Sequence, residues 1–415
     1  MNLLFLCVGM VFDVNKKTSS RTTGYSYLVR DLATQLVLNP GVSVDCYSKN
    51  KEPELSSWQG VKLLHRPLRM IFRYARPYYF IRGLKAAYYQ KGTLWESLNT
   101  VFGFLEGGLV EHYIKQNKYD LVCIQGVTEL SLPYILACNR MKVPYNVSFH
   151  SFNCFQETMG DNEDPLMKWA VNELAKKGVP TSYISTGMLN RALNVVDHRF
   201  RSQAQFYCIP NGSKSIPGQN NSARCELGIP ENATVCLCCG NISVLKNQIQ
   251  VVRSFNYLAK SLQERFFIML VGNNNDERLA EAIEACNYPD HIKLCGSVAH
   301  EQLAKYFNAA TFVCVSSLSE GFGLSAVESF MFGKPVLMWS DLDAVKDLYS
   351  GSAMILVDER SDQQLAKGIE RLLSCKWDSK AIKTHAQQFT FDKMVESYYR
   401  WYKNQIAAHS RKDLS

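Results

Sequence analysis

The 415-residue chain has no stretch approaching the about 20 consecutive apolar residues of a membrane-spanning helix. Its first residues, MNLLFLCVGMVF, are apolar but lack a basic start and a small-residue cleavage site. They read as a first buried strand rather than a signal peptide, and the expected location is the cytoplasm. Tandem repeats and low-complexity tracts are also missing. The 14 cysteines have no regular spacing, so they read as reduced core residues rather than a disulfide framework. One pair, Cys236 and Cys239, has CxxC spacing but lies in the apolar run VCLCCG with no second Cys/His pair nearby. That favours a core strand over a metal site. No G-x-G-x-x-G follows the first apolar run, which argues against a nicotinamide-dependent oxidoreductase.

Acidic residues are missing from one long segment. Between Leu55 and Trp95 there is no Asp or Glu, while Lys62, Arg66, Arg69, Arg73, Arg76, Arg82, Lys85 and Lys91 carry positive charge. Aromatic side chains are interleaved with them, and Pro67 and Pro77 interrupt any single long helix. Basic charge mixed with aromatic rings suits an anionic membrane surface; a solvated face over core aromatics is the plainer alternative. No nucleic-acid-binding motif accompanies the charge, so no nucleic-acid partner is expected. The expected contact is therefore peripheral, through residues 62–91, at the inner face of the plasma membrane.

Hydrophobic residues make up 47% and charged residues 20% of the chain, as in a folded protein of about two domains. Short apolar runs alternate with amphipathic ones, the pattern of βαβ units and a parallel sheet. Strands are expected at LLFLCV, VSVDCYS, VKLLHR, YDLVCI, YNVSFH, TSYIST and QFYCIP. A second series follows at TVCLCCG, FFIMLVG, IKLCG, TFVCVSS and PVLMW. The polar stretch beginning NGSKSIPG separates the two series, giving domains at 1–210 and 211–390. Residues 391–415 then read as an amphipathic helix and polar tail. Tandem α/β domains place a ligand crevice at the carboxyl ends of their strands.

The segment SSLSEGFGLSAVESFMFGKPVLMW carries the most chemistry. A strand runs into the loop Glu320-Gly321-Phe322-Gly323, which opens a helix. The glycines allow close backbone approach, and the free amides at Gly323, Leu324 and Ser325 suit a diphosphate. Glu320 lies before the helix and Glu328 more than a turn inside it, too far apart for a paired acid/base or metal site. The spacing suits one carboxylate on a sugar and the other on a ribose.

These residues resemble the Glu-x7-Glu signature of the retaining family 4 glycosyltransferases, bacterial cell-surface polysaccharide enzymes among them. The resemblance implies an α/β GT-B fold: two facing Rossmann-like parallel-sheet domains with a C-terminal helix crossing back onto the first. It implies that Glu320 meets the donor sugar, Gly321 to Ser325 the sugar and phosphates, and Glu328 the ribose. CCGNISVLKNQ resembles the family's Gly-Arg-x4-Lys segment, with Gly240 and Lys246 in place and Asn241 where the Arg stands. IPNGSK resembles its interdomain Ile-Pro-Asn-Gly, with Ser213 and Lys214 in place of Val and Asp. Gly24 corresponds to the loop before the first helix, and His150, after YNVSF, to the pocket histidine. The catalytic set implied is Glu320, His150 and Lys246.

The implied activity is retaining transfer from a nucleotide-diphosphate sugar to a glycan or polyprenyl-linked acceptor, as in cell-surface polysaccharide assembly. Neither cofactor nor metal is expected, because a helix N-terminus and Lys246 supply the charge on the leaving diphosphate. Asp341-Leu342-Asp343, though DxD in form, reads as acids at a helix start. A GT-B sugar phosphorylase or epimerase, or a non-catalytic sugar-nucleotide-binding protein, remains the alternative.

Overall fold

A computed structural model of the chain describes residues 1–8, 10, 24–48, 55–90, 93–150, 165–218 and 222–412. These divide into two compact units. The first comprises Met1–Ile184, Leu189–Ile209 and Val395–Ser415; the second comprises Ser185–Met188 and Pro210–Met394.

The first unit is built on an eight-stranded sheet. Its strands are β1 (Asn2–Cys7), β2 (Ser43–Ser48), β3 (Ser57–Trp58), β4 (Val61–Leu63), β5 (Leu121–Gln125), β6 (Tyr145–Phe149), β7 (Pro180–Tyr183) and β8 (Gln205–Cys208). The spatial order is β3-β4-β2-β1-β5-β6-β7-β8, parallel throughout except for the antiparallel β3–β4 edge. The central strands are buried at nearly every residue and mostly apolar, as a sheet covered on both faces requires, with Gln125, Asn146 and Ser148 as buried polar exceptions. The Leu94–Gln116 helix starts at a capping box, in which Thr93 and Glu96 satisfy each other's backbone amides.

The last helix, Phe391–Lys412, belongs to this unit from Val395 onward. Gln125 Nε2 donates to the Tyr402 hydroxyl at 2.9 Å, and Asn146 Nδ2 donates to Gln405 Oε1 at 3.1 Å. The Tyr402 ring meets Phe5 edge-on at 6.1 Å.

The second unit has six parallel strands: β9 (Thr234–Cys239), β10 (Phe266–Val271), β11 (Ile292–Gly296), β12 (Phe312–Val315), β13 (Val336–Trp339) and β14 (Met354–Val357). Their order, β11-β10-β9-β12-β13-β14, reverses direction at β9, so the loops leaving β9 and β12 open side by side. Cys236, Cys238 and Cys314 are packed together in this core, as their apolar context suggested. Among the described residues no group of His, Cys, Asp and Glu has the arrangement to hold a metal ion.

Two strands, β3 and β14, lie outside the expected set. The run TSYIST also ends earlier than expected. β7 stops at Tyr183, and Thr186 opens the Thr186–Val195 helix with its amide and hydroxyl donating to the Asp347 carboxylate at 2.7 and 2.6 Å. That contact ties Ser185–Met188 to the second unit.

Candidate functional site

In the first unit the expected residues gather where β5 and β6 end. Gly24 begins the Gly24–Leu36 helix. The next residue, Tyr25, donates its hydroxyl to the Gln125 carbonyl, and its ring lies 5.0 Å from the His150 ring. His150 Nε2 is 2.9 Å from Gln125 Oε1. Gln125 already donates through Nε2 to Tyr402, so its Oε1 accepts and His150 Nε2 carries the proton. His150 Nδ1 is then a buried acceptor with no hydrogen-bond partner among the described residues. Burial pushes the imidazole pKa down to about 3, so the ring is neutral through the physiological range.

In the second unit β9 leads into a turn at Gly240, which has φ +131°. A Cβ on Gly272, in the neighbouring turn, would lie 2.3 Å from the Gly240 carbonyl, so the two turns meet backbone to backbone. Asn241 is exposed and accepts the Asn273 amide at 3.3 Å, joining the same two turns. The buried Gln248 donates to the carbonyls of Gly240 and Asn241 at 3.3 and 3.1 Å and fixes the start of the loop. Further along the loop, the Lys246 carbonyl accepts Ser316 Oγ at 3.0 Å, and the Leu245 carbonyl accepts the Leu318 amide at 2.8 Å. The β9 and β12 loops are thereby stitched together.

This stitching brings Lys246 to Glu320. Its Nζ is 2.5 Å from Glu320 Oε2, which also accepts Ser317 Oγ at 3.1 Å. The sequence suggested separate tasks for these two side chains; the structure makes them an ion pair. Gly323, at φ +81°, caps the Leu324–Met331 helix from the left-handed region, and its carbonyl accepts the amides of Ala326 and Val327. Leu324 and Ser325 are thus the first amides of the helix, with no acceptor inside it. The Phe322 side chain is turned away into the core, against Phe389, so only its backbone is available to a ligand.

Glu328 sits inside the helix and is buried, its Oε1 3.2 Å from Ser213 Oγ and 3.3 Å from His300 Nε2. The hydrogen bond to Glu328 raises the His300 pKa above its ordinary value. The half-buried Cys239 thiol lies within electrostatic reach of both side-chain clusters: loss of solvent raises its pKa, Glu328 adds to the rise and Lys246 opposes it. Ser317, His300 and Arg360 were not singled out in the sequence, and no local signal marks them; Ser213 stood out only as a departure from the related interdomain segment.

Asp341 is corrected by the structure. It is not a helix-start acid, since the short Val345–Leu348 helix begins four residues later; instead it pairs with Arg360 through contacts of 2.8 and 3.0 Å. Arg360 also lies over the Trp339 ring and donates to the Ser317 carbonyl at 3.4 Å, so it braces the loop that carries Glu320.

Solved structures share this architecture. Sucrose-phosphate synthase from Thermosynechococcus elongatus superimposes over 98% of the chain and 100% of its own, with TM-score 0.77 and 17% identity. Alr3699/HepE from Anabaena, in complex with UDP-glucose, covers 97% and 100%, with TM-score 0.68 and 16% identity. The fold is GT-B. Within it, residues 219–389 match the family of glycosyl transferases group 1. Among curated proteins, the D-inositol 3-phosphate glycosyltransferase of Acidothermus cellulolyticus is 28% identical over 237 residues, 54% of this chain and 53% of that one. The match spans about half the length of the first such relatives. No helix among the described residues is long and apolar enough to cross a membrane.

Proposed function

We propose that the chain is a retaining, metal-independent glycosyltransferase that moves a sugar from a nucleotide-diphosphate sugar to a glycan or polyprenyl-linked acceptor. The observation that carries this reading is the Lys246–Glu320 pair beside the first amides of the Leu324–Met331 helix. A cation, two free helix-start amides and a carboxylate answer, respectively, to a diphosphate's charge, its oxygens and a sugar's hydroxyls. The match of residues 219–389 to the group 1 transferases supports it.

On this reading the diphosphate rests on the amides of Leu324 and Ser325, and Lys246 turns from Glu320 to the phosphate as negative charge develops on it. Glu320 then holds sugar hydroxyls and Glu328 the ribose, with Ser213 and His300 fixing the second carboxylate. Neutral His150, in the first unit, keeps the catalytic part that the resemblance gives it, with an Nδ1 lone pair suited to a hydroxyl donor. The acceptor attacks on the face the diphosphate leaves, which retains the anomeric configuration. Metal independence is supported by Asp341: its carboxylate, the first of the DxD-shaped triplet, is held by Arg360. A role in cell-surface polysaccharide assembly would make the acceptor lipid-linked, and peripheral contact of residues 62–91 with anionic membrane would bring the chain to it.

Glu320→Ala and Lys246→Ala should each lower transfer by orders of magnitude with the fold intact. Near-normal turnover in either removes the assignment. Asn241, uncharged where the related family has an arginine, favours one second reading, a sugar-nucleotide-binding protein without transfer activity. Donor binding with no transfer to any acceptor would support that reading.

A further inference from the structure

Ten of the 18 large hydrophobic side chains exposed among the described residues fall between Leu68 and Leu98. That density in so short a segment is unlike the scattered exposure of an ordinary surface. Three helices carry them: Leu68–Tyr74, Pro77–Gln90 and Leu94–Gln116. Pro67 caps the first helix and Pro77 is the first residue of the second, so the prolines start helices rather than prevent them.

The exposed side chains follow helical spacing. Ile81, Leu84 and Tyr88 line one face of the second helix at i, i+3 and i+7. Leu94, Trp95 and Leu98 occupy the first turns of the third, where Leu94 is 79% and Trp95 71% exposed. On the first helix, Phe72 reaches Phe102 of the third with ring centroids 5.9 Å apart, which joins the stripes.

Loose packing is not the cause. The inner faces are locked: a Cβ on Gly83 would lie 2.9 Å from Val101 Cα, and one on Gly108 only 2.0 Å from the Tyr74 carbonyl. Buried carboxylates pin the inner side as well. Glu106 holds Arg66 and Tyr47, while Glu111 holds Arg76, Arg140 and the Tyr79 hydroxyl. The outward stripe is therefore left over by a tightly fixed helical arrangement.

Those ion pairs also correct the charge reading of the sequence. Arg66 and Arg76 serve the interior, Lys62 pairs with Asp45, and Lys91 lies outside the described residues. The exposed cations that flank the apolar stripe are Arg69, Arg73, Arg82 and Lys85. Arg73, Arg82 and Lys85 lie over the rings of Tyr74, Tyr78 and Tyr89. The acid at the edge, Glu96, is engaged in the helix cap with Thr93.

We propose that this three-helix face docks on an anionic lipid bilayer. Leu94, Trp95, Leu98, Leu84 and Tyr88 enter the headgroup boundary, and Arg69, Arg73, Arg82 and Lys85 meet lipid phosphates. This deepens the membrane contact in the functional reading and rests on it only for its purpose, delivery of a lipid-linked acceptor. The choice of occupant follows from charge. A second copy packed face to face would set these cations against their own kind, whereas an anionic surface neutralises all of them while burying the aliphatic side chains. Rings at the edge of such a face match headgroup depth.

The test uses the full chain without donor and reads co-sedimentation with vesicles of phosphatidylglycerol and phosphatidylcholine, against phosphatidylcholine alone. Each surface cation strengthens binding by a factor of about five. Arg82→Glu with Lys85→Glu should therefore weaken partition to the anionic vesicles at least about 25-fold, and Leu94→Ser with Trp95→Ser should abolish it. Circular dichroism should be unchanged in both variants, and so should transfer to a soluble acceptor. Absence of binding at low salt, or binding indifferent to both variants, overturns the proposal. So does a dimer in solution that both variants convert to monomer. Because the readout needs no donor, failure of the glycosyltransferase reading would leave this result standing.

Discussion

Replacing Lys246 with Met removes the ammonium but keeps most of the side-chain stem, which separates the two tasks the Lys246–Glu320 pair could perform. The pair spans 2.5 Å, with Glu320 13% and Lys246 35% exposed. Charged hydrogen bonds of this kind contribute about 1.5–3 kcal/mol when shielded, but solvent reaches Lys246, so the loss on Lys246→Met should be about 1 kcal/mol. Glu320→Gln should cost a similar amount. The double variant leaves no lone charge beside Ser317 Oγ, so its cost should fall below the sum of the two singles by roughly 0.5 kcal/mol or more. Turnover should behave otherwise. A preorganised group that meets charge in the transition state is worth about a hundred- to a thousand-fold in rate. Each single variant should lose that much, and the double should recover none of it. Urea unfolding gives the stability cycle, and release of nucleoside diphosphate from the donor gives the turnover. Turnover that returned in the double variant together with stability would show the pair to be a structural salt bridge and refute the assignment.

Donor turnover should persist in excess chelator; loss of activity restored by added Mg²⁺ or Mn²⁺ would contradict a metal-independent site. His300 has a raised pKa because it donates to Glu328, with Glu301 reinforcing the shift and Lys214 opposing it. The stability it contributes is complete below the ordinary imidazole pKa and is lost as pH rises through its raised value. His300→Gln should flatten that decline in a melting-temperature profile, and an unchanged slope would mean the contact is idle. His150 works in the opposite sense. Its pKa is pushed down to about 3, so its contribution is present above the ordinary imidazole range and is lost as pH falls from there toward 3. His150→Gln should make the chain less sensitive to acid, read as a smaller loss of melting temperature between neutral pH and pH 4.

Much of the fold was legible because parallel strands buried on both faces are unbroken apolar runs, as in FFIMLV and FVCV. β14 was missed although its four-residue run MILV is as apolar as FVCV, and β3 because two residues carry no pattern at all. The motif loop could be read from Gly323 and the spacing of Glu320 and Glu328, which a strand, a tight turn and a helix start require. Partners distant in the chain could not. Ser213 and His300 reach Glu328 across 115 and 28 residues, and Arg360 reaches Asp341 across 19. Arg66 and Arg76 looked like surface charge because their carboxylates, Glu106 and Glu111, lie far along a helix whose own sequence shows no polar face.

A donor panel decides whether the chain turns over a nucleotide sugar at the Glu320 loop. UDP-, GDP- and ADP-sugars would be screened for thermal stabilisation and then for release of nucleoside diphosphate, with Glu320→Ala in parallel. At least one donor should raise the melting temperature and be consumed by the wild type but not by the variant. Consumption at the same rate by both proteins, or a panel in which no donor binds, would contradict turnover at that loop.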